Sequence, residues 1–247
     1  VARELLGERD CLVYALVRAD DQDAAVRRLR RAWCDWPALA ASIGGRVQVL
    51  CGDISRPHLG LDDAAYAQLV RNVTHIIHPA ADLRLMAPLD ELRATNVRGT
   101  EHLLALARAA HHDHGLSRFA HVSTAYVAGG RDGAVPEHAL TDAYGFSSAY
   151  EVSKYEAELS VQAARGKLPI SIFRPGMVVG DSRTGEIKTF NTLYYPLRLY
   201  LMDRLSLVPT RADALVNLVP VDYVAQAIVR LTFHADAAGQ TFHLTAP

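Results

Sequence analysis

Short apolar runs of strand length recur along this chain, and stretches with helical spacing separate them. Cys11–Val17 is an unbroken apolar run, suited to a strand buried on both faces. Further strands are expected at Val47–Cys51, Thr74–His78, Arg118–Val122 and Ile170–Arg174. Between them, helical patterns cover Asp23 to about Trp36, where Pro37 marks the end, then Leu61–Arg71 and Pro88–His111, with Gly115 as the stop. A last long helix runs from about Tyr150 to Arg165. Strands alternating with helices predict βαβ units with right-handed crossovers, hence an α/β fold with a doubly wound parallel sheet. Val1–Gly7 reads as the end of a helix, so a larger polypeptide is expected.

After Gly180 the rhythm changes. Residues 188–204 carry Phe190, Leu193, Tyr194, Tyr195, Leu197, Tyr200 and Leu201 with Pro196, which predicts a helical segment with a broad apolar face. Residues 215–219 and 241–244 fit short strands. A helix over 221–232 carries Asp222 in its first turn, where a carboxylate suits the helix dipole. The expected division is a main unit over 1–182 and, over 183–247, mostly a small cap, with 217–235 returning to the main unit.

Composition narrows the function classes. Of the 247 residues, 50% are hydrophobic and 21% charged, and the net charge is −1, which is ordinary for a globular domain and carries no nucleic-acid footprint. No apolar run approaches the ~18 residues of a spanning helix, and no signal peptide is visible. Cys11, Cys34 and Cys51 are odd in number and form no CxxC pair, as expected of free thiols in a reducing cytosol. His111, His112 and His114 suit a solvated helix end more than a metal site, since no ligand set completes one.

In open parallel sheets, ligands bind outside the carboxyl ends of the strands. Arg18, Asp53, Ala80, Ala81, Thr124, Pro175 and Gly176 each follow a predicted strand. Tyr150 and Lys154, four residues apart, share one helix face. A neighbouring ammonium would lower the phenol from its usual value of about 10. Such a phenol can exchange a proton with a substrate oxygen. The same spacing also fits a packed Tyr150 and a solvated Lys154.

Taken in order, Gly52-Asp53, His78-Pro-Ala-Ala81, Asn96-Val-Arg-Gly-Thr100, Val122-Ser-Thr124, Tyr150-xxx-Lys154, Arg174-Pro-Gly176 and Val219-Pro-Val-Asp222 resemble an extended short-chain dehydrogenase/reductase over nearly the whole chain. His121-Val-Ser-Thr-Ala-Tyr-Val127, Arg174-Pro-Gly-Met-Val-Val-Gly-Asp181 with Gly185-Glu-Ile187, and Phe190-Asn-Thr-Leu193 are most similar to thioester reductase domains. These are the terminal reductases of carrier-protein assembly lines and carboxylic acid reductases, related to fatty acyl-CoA reductases.

The resemblance implies a Rossmann-type dinucleotide-binding unit over 1–182 and a substrate-binding cap. It implies Tyr150 as general acid, Lys154 as its partner and a ligand of the nicotinamide ribose, and Thr124 as the residue orienting the substrate carbonyl, with Ser123 the neighbouring candidate. Arg18, assisted by Arg28, suits the 2′-phosphate of NADPH. Asp53 and Ile54 would meet the adenine, Ala80 and Ala81 would let backbone approach the cofactor, and Pro175, Gly176 and Val178 would line the nicotinamide. Asn96, a poor helix former in mid-helix, would support the site from within. The chain departs from the family in one respect: the first strand and the GxxGxxG turn, which would precede Val1, are not in this sequence. The function therefore belongs to the intact protein.

The implied reaction is NADPH-dependent reduction of an acyl thioester. Hydride reaches the carbonyl, the thiohemiacetal collapses to an aldehyde and a thiol, and a second reduction would give an alcohol. The thiol would be the phosphopantetheine of a carrier protein, or coenzyme A. Other readings are a sugar-nucleotide epimerase or dehydratase, a hydroxysteroid-type dehydrogenase, or a non-catalytic dinucleotide sensor. Retention of both Tyr150 and Lys154 argues against the last.

Overall fold

The computed structural model describes residues 1–187, 193–204 and 216–246. Its strands are β1 (Val13–Val17), β2 (Val47–Cys51), β3 (His75–His78), β4 (Arg118–Val122), β5 (Ile170–Pro175), β6 (Met177–Val179), β7 (Leu218–Pro220) and β8 (Thr241–Leu244). Its helices are α1 (Ala2–Glu8), α2 (Gln22–Ala32), α3 (Pro37–Ala41), α4 (Asp63–Asn72), α5 (Leu89–Arg93), α6 (Gly99–His114), α7 (Ala149–Ala163), α8 (Tyr194–Leu201) and α9 (Val221–Thr232). All pairings are parallel. The strands form one sheet in the order β3-β4-β5-β8 and two pairs, β1-β2 and β6-β7.

Strand alternation sorts the core into layers. Ile76, Phe119, Ile170 and Ile172 face Leu103, Leu104, Ala107, Val161 and Leu69 of α6, α7 and α4. Their neighbours Ala120 and Phe173 point the other way, onto Val224 and Ile228 of α9. Tyr14, Leu16 and Leu50 join the α4–α6 side, whereas Val13, Ala15, Val47 and Val49 pack against Ala25 and Leu29 of α2. One core layer therefore spans β1-β2 and the four-stranded sheet, although β1 and β3 do not pair.

Several elements differ from the sequence pattern. Pro37 starts the short helix α3, where its missing N–H costs nothing, instead of only ending α2. The expected helix over 88–111 is α5 and α6 joined by a π-helical turn over Ala94–Arg98, where Asn96 turns its side chain inward. β1 is only half-buried along its length, because β2 is its one strand neighbour among the described residues. The short β6 after Gly176 follows no periodicity long enough to read. Of the aromatic segment, α8 is described; residues 188–192, Phe190 among them, and Leu215 lie outside the described residues. Among those described, no helix is long and apolar enough to cross a membrane.

Candidate active site

The same alternation that puts Ile76, Phe119 and Ile172 in the core puts polar groups on that face at the strand ends. His78, His121, Ser123 and Arg174 are all buried there, against α6 and α7. Helix α7 answers with a stripe at i, i+4 and i+8: Tyr150 is half-buried, Lys154 is 2% exposed and Glu158 is 0% exposed. Ser148 caps the helix by accepting from the Glu151 N–H at 3.3 Å, which sets the first turn and hence the aim of Tyr150.

Thr124 closes β4 and caps the short turn Ala125–Ala128. Its Oγ1 accepts from the Tyr126 N–H at 3.3 Å, which leaves its single hydroxyl proton to donate. The Thr124 hydroxyl lies close enough to the Tyr150 phenol to favour its ionised form. Burial of Tyr150 outweighs that influence and pushes the phenol up to about 12. The expected lowering of Tyr150 by Lys154 is therefore corrected. The Lys154 ammonium donates to the Val122 carbonyl at 2.9 Å, and burial pulls it down to about 8 while Glu158 raises it. His78 and His121 are held neutral by burial, with the Lys154 charge adding to the effect. His78 Nε2 lies 3.0 Å from Thr100 Oγ1. That hydroxyl donates to the Asn96 carbonyl at 2.6 Å, so His78 carries its proton on Nε2.

Asn96, 1% exposed, clamps the loop after β3 to α7. Its Oδ1 accepts from the Asp82 N–H at 2.7 Å, and its Nδ2 donates to the Asp82 carbonyl at 3.1 Å and to Ser153 Oγ at 2.9 Å. Ala80 and Ala81 lie on that loop, exposed and half-buried. Pro175 and Gly176 are buried at the end of β5, and a Cβ on Gly176 would come within 2.4 Å of Asn217 Oδ1, so only glycine fits. Val178 lines a cavity of about 410 Å³ with Leu83, Trp36, Gly180 and Asp222. A second cavity, of about 540 Å³, opens between Leu85–Ala87 and the start of α7.

At the other end of the sheet, Arg18 follows β1 and its carbonyl accepts from Arg28 Nη1 at 2.7 Å. Both arginines are exposed. Asp53 follows β2, accepts from Ser55 N and Oγ at 2.8 and 2.7 Å, and lies low despite its partial burial, through those bonds and the nearby Arg18 and Arg56 charges. Arg18 also helps hold Asp82 down. The ends of β1, β2 and β3 thus share one electrostatic neighbourhood. The Ile54 side chain packs on Gly99 of α6, where an added Cβ would lie 2.9 Å from it. Sequence reasoning missed Glu158, which sits one turn beyond Lys154 on the same stripe, and the two buried histidines, for which the strand alternation carried the signal.

A family model described as Male sterility protein, for an NAD-binding family, matches residues 1–228. The chain is 29% identical over 251 residues to a component of the linear gramicidin synthase of Brevibacillus parabrevis, covering 99% of this chain and 5% of that one. It is 31% identical over 260 residues to the L-2-aminoadipate reductase large subunit of Penicillium chrysogenum, covering 97% of this chain and 18% of that one. The chain thus spans less than a fifth of these two relatives' length. Among solved structures, the terminal R domain of the myxalamid PKS-NRPS pathway superposes with a TM-score of 0.85 at 33% identity, over 100% of this chain and 61% of that one. The chain belongs to the NAD-binding Male sterility family, within the extended short-chain dehydrogenase/reductases, alongside the reductase domains of peptide synthetases and the aminoadipate reductases.

Proposed function

We propose that the intact protein reduces an acyl thioester with NADPH, giving an aldehyde or alcohol and releasing the thiol. The observation that carries this is the placing of the Thr124 and Tyr150 hydroxyls beside one another at the carboxyl edge of the sheet, next to the buried Lys154. A thioester carbonyl oxygen placed between the two hydroxyls accepts from both as negative charge develops on it. Burial keeps Tyr150 protonated at neutral pH, so it holds a proton to give.

Arg18, Arg28 and Asp53 would hold the adenosine end of the cofactor, Ala80 and Ala81 the middle, and Lys154, Pro175, Gly176 and Val178 the nicotinamide end. The chemistry of the donor set fits: cations at the phosphate position, a carboxylate held ionised beside it, and small residues between. Bound there, the cofactor supplies the hydride. The exposed arginines favour NADPH over NADH. In the usual order of such sheets, a strand and its glycine-rich turn belong between β1 and β3, the two edges left unpaired with each other here. Exposed Leu85 and Met86 beside Ser147–Glu151 suit entry of an acyl chain on a pantetheine arm, from a carrier protein or coenzyme A. Of the expected cover over 183–247, α8 would contribute to the cover, whereas α9, within the returning 217–235, and β8, which pairs with β5, would belong to the dinucleotide-binding unit.

The test is the full-length protein with NADPH and a medium-chain acyl thioester, following cofactor absorbance and free thiol together. Coupled loss of NADPH and appearance of thiol is expected. NADPH that binds and is not consumed by any thioester would overturn the proposal.

A further inference from the structure

Glu158 is wholly buried, and three side chains grip its carboxylate. Arg174 Nη2 donates to Oε1 at 2.6 Å, and Arg174 Nε reaches the two oxygens at 3.2 and 3.1 Å. Ser123 Oγ donates to Oε2 at 2.6 Å, and Gln162 Nε2 to Oε1 at 3.0 Å. Lys154 lies one turn back on the same face, near enough for the carboxylate to favour its charged form. These partners stand directly before the reacting segments: Ser123 precedes Thr124, and Arg174 precedes Pro175 and Gly176. Arg174 Nη1 also lies 3.2 Å from His243 Nε2 on β8.

We propose that Glu158 and Arg174 are the positioning pair of this active site: they lock the ends of β4 and β5 to α7 and place a negative charge one turn from Lys154. The proposal rests on the reading of Thr124, Tyr150 and Lys154 given above. Two functions are separable here. A buried ion pair is often replaceable by apolar side chains of similar volume with little loss of stability, whereas removal of one partner leaves a stranded charge. An apolar substitute can restore the packing; it cannot restore the field at Lys154.

The charges around that field come from every packed element. His78 and His121 on β3 and β4 are held neutral beside Lys154, and Tyr150 precedes it on α7. Beyond Glu158 stand Arg174, Arg165 and His243, each within its electrostatic reach. Glu158 is the group that opposes the burial of Lys154. Activity that needs the ammonium is lost as pH rises through the Lys154 pKa. Taking the carboxylate away lowers that pKa, so the loss begins at lower pH.

The experiment compares full-length wild type, Glu158→Gln and the double variant Glu158→Gln/Arg174→Met. It reads kcat and KM for an acyl-CoA thioester against pH, NADPH affinity against pH by nucleotide fluorescence, and the thermal midpoint. The alkaline limbs of kcat/KM and of NADPH affinity are expected about one pH unit lower in both variants. At neutral pH kcat should fall by about tenfold or more as Thr124 and Tyr150 lose register, with KM for the thioester little changed. The double variant should recover most of the thermal midpoint and none of the pH shift. A folded double variant with wild-type limbs and wild-type kcat would overturn the proposal, even if Glu158→Gln alone fails to fold. Wild-type protein inert toward all thioesters would instead sink the reading of the reaction, and the NADPH-affinity limb would still decide the role of Glu158.

Discussion

The two ends of this sheet are built from similar apolar strands and finish in opposite ways. β5 is buried along its whole length, and beyond the ends of β4 and β5 Ser123, Glu158 and Arg174 are tied together by hydrogen bonds in the interior, with Lys154 bonded to the Val122 carbonyl beside them. β1 is half-buried throughout, and beyond β1 and β2 the polar groups are exposed arginines and an aspartate tied to its own loop. In the proposed reaction, proton transfer needs donors fixed before the substrate arrives, and Thr124, Tyr150 and Lys154 are held from several elements. Recognition of a phosphate needs charge and reach, and two arginines on a surface provide both without being locked.

That contrast makes the reacting end sensitive to single atoms and the nucleotide end sensitive to charge. Tyr150→Phe should lower kcat by roughly 10²- to 10⁴-fold while NADPH affinity stays near wild type, measured by steady-state kinetics and nucleotide fluorescence. Activity retained in this variant would place the proton donor elsewhere. Arg18→Glu should shift the ratio of kcat/KM for NADPH over NADH by about tenfold to a hundredfold toward NADH, with kcat for the preferred cofactor kept. An unchanged ratio would remove Arg18 from the 2′-phosphate site.

The smallest effect separates the ends by pH. His78 is held down to about 3, against an ordinary 6.5, because its burial disfavours the charged ring. The unfolded chain therefore binds a proton that the folded one refuses. Stability is full above about 6.5 and declines as pH falls toward 3, by about 1.4 kcal/mol per unit for this histidine. His78→Gln should flatten that slope in urea titrations between pH 6.5 and 4.5, and an unchanged slope would show that the ring is not buried neutral.

Much of this arrangement was legible in the sequence. The alternation of apolar runs with helical stretches gave the parallel α/β order, and the spacing of Tyr150 and Lys154 put both on one face of α7. Glu158 was not legible, because a glutamate late in a helix usually faces water and only the arrival of Arg174 from a distant strand explains its burial. The phenol shift had the wrong sign for a related reason: burial depends on what packs over Tyr150, which spacing cannot report. Asn96 signalled something unusual in its helix, yet the π-helical turn that aims it at Asp82 and Ser153 depends on a loop after β3. Arg18 and Arg28 were readable as cations at a strand end, since exposed groups need little tertiary context. The tight fit of Ile54 on Gly99 was not readable, because it is a contact between distant segments.

The most direct measurement is the fate of the transferred hydrogen. Full-length protein would be given NADPH carrying deuterium at the reactive C4 position and an acyl thioester, with products resolved by mass spectrometry. The account predicts deuterium on the former carbonyl carbon of an aldehyde or alcohol, with thiol released in step, and neither in Tyr150→Phe. Intact thioester, or an unlabelled product, would contradict it.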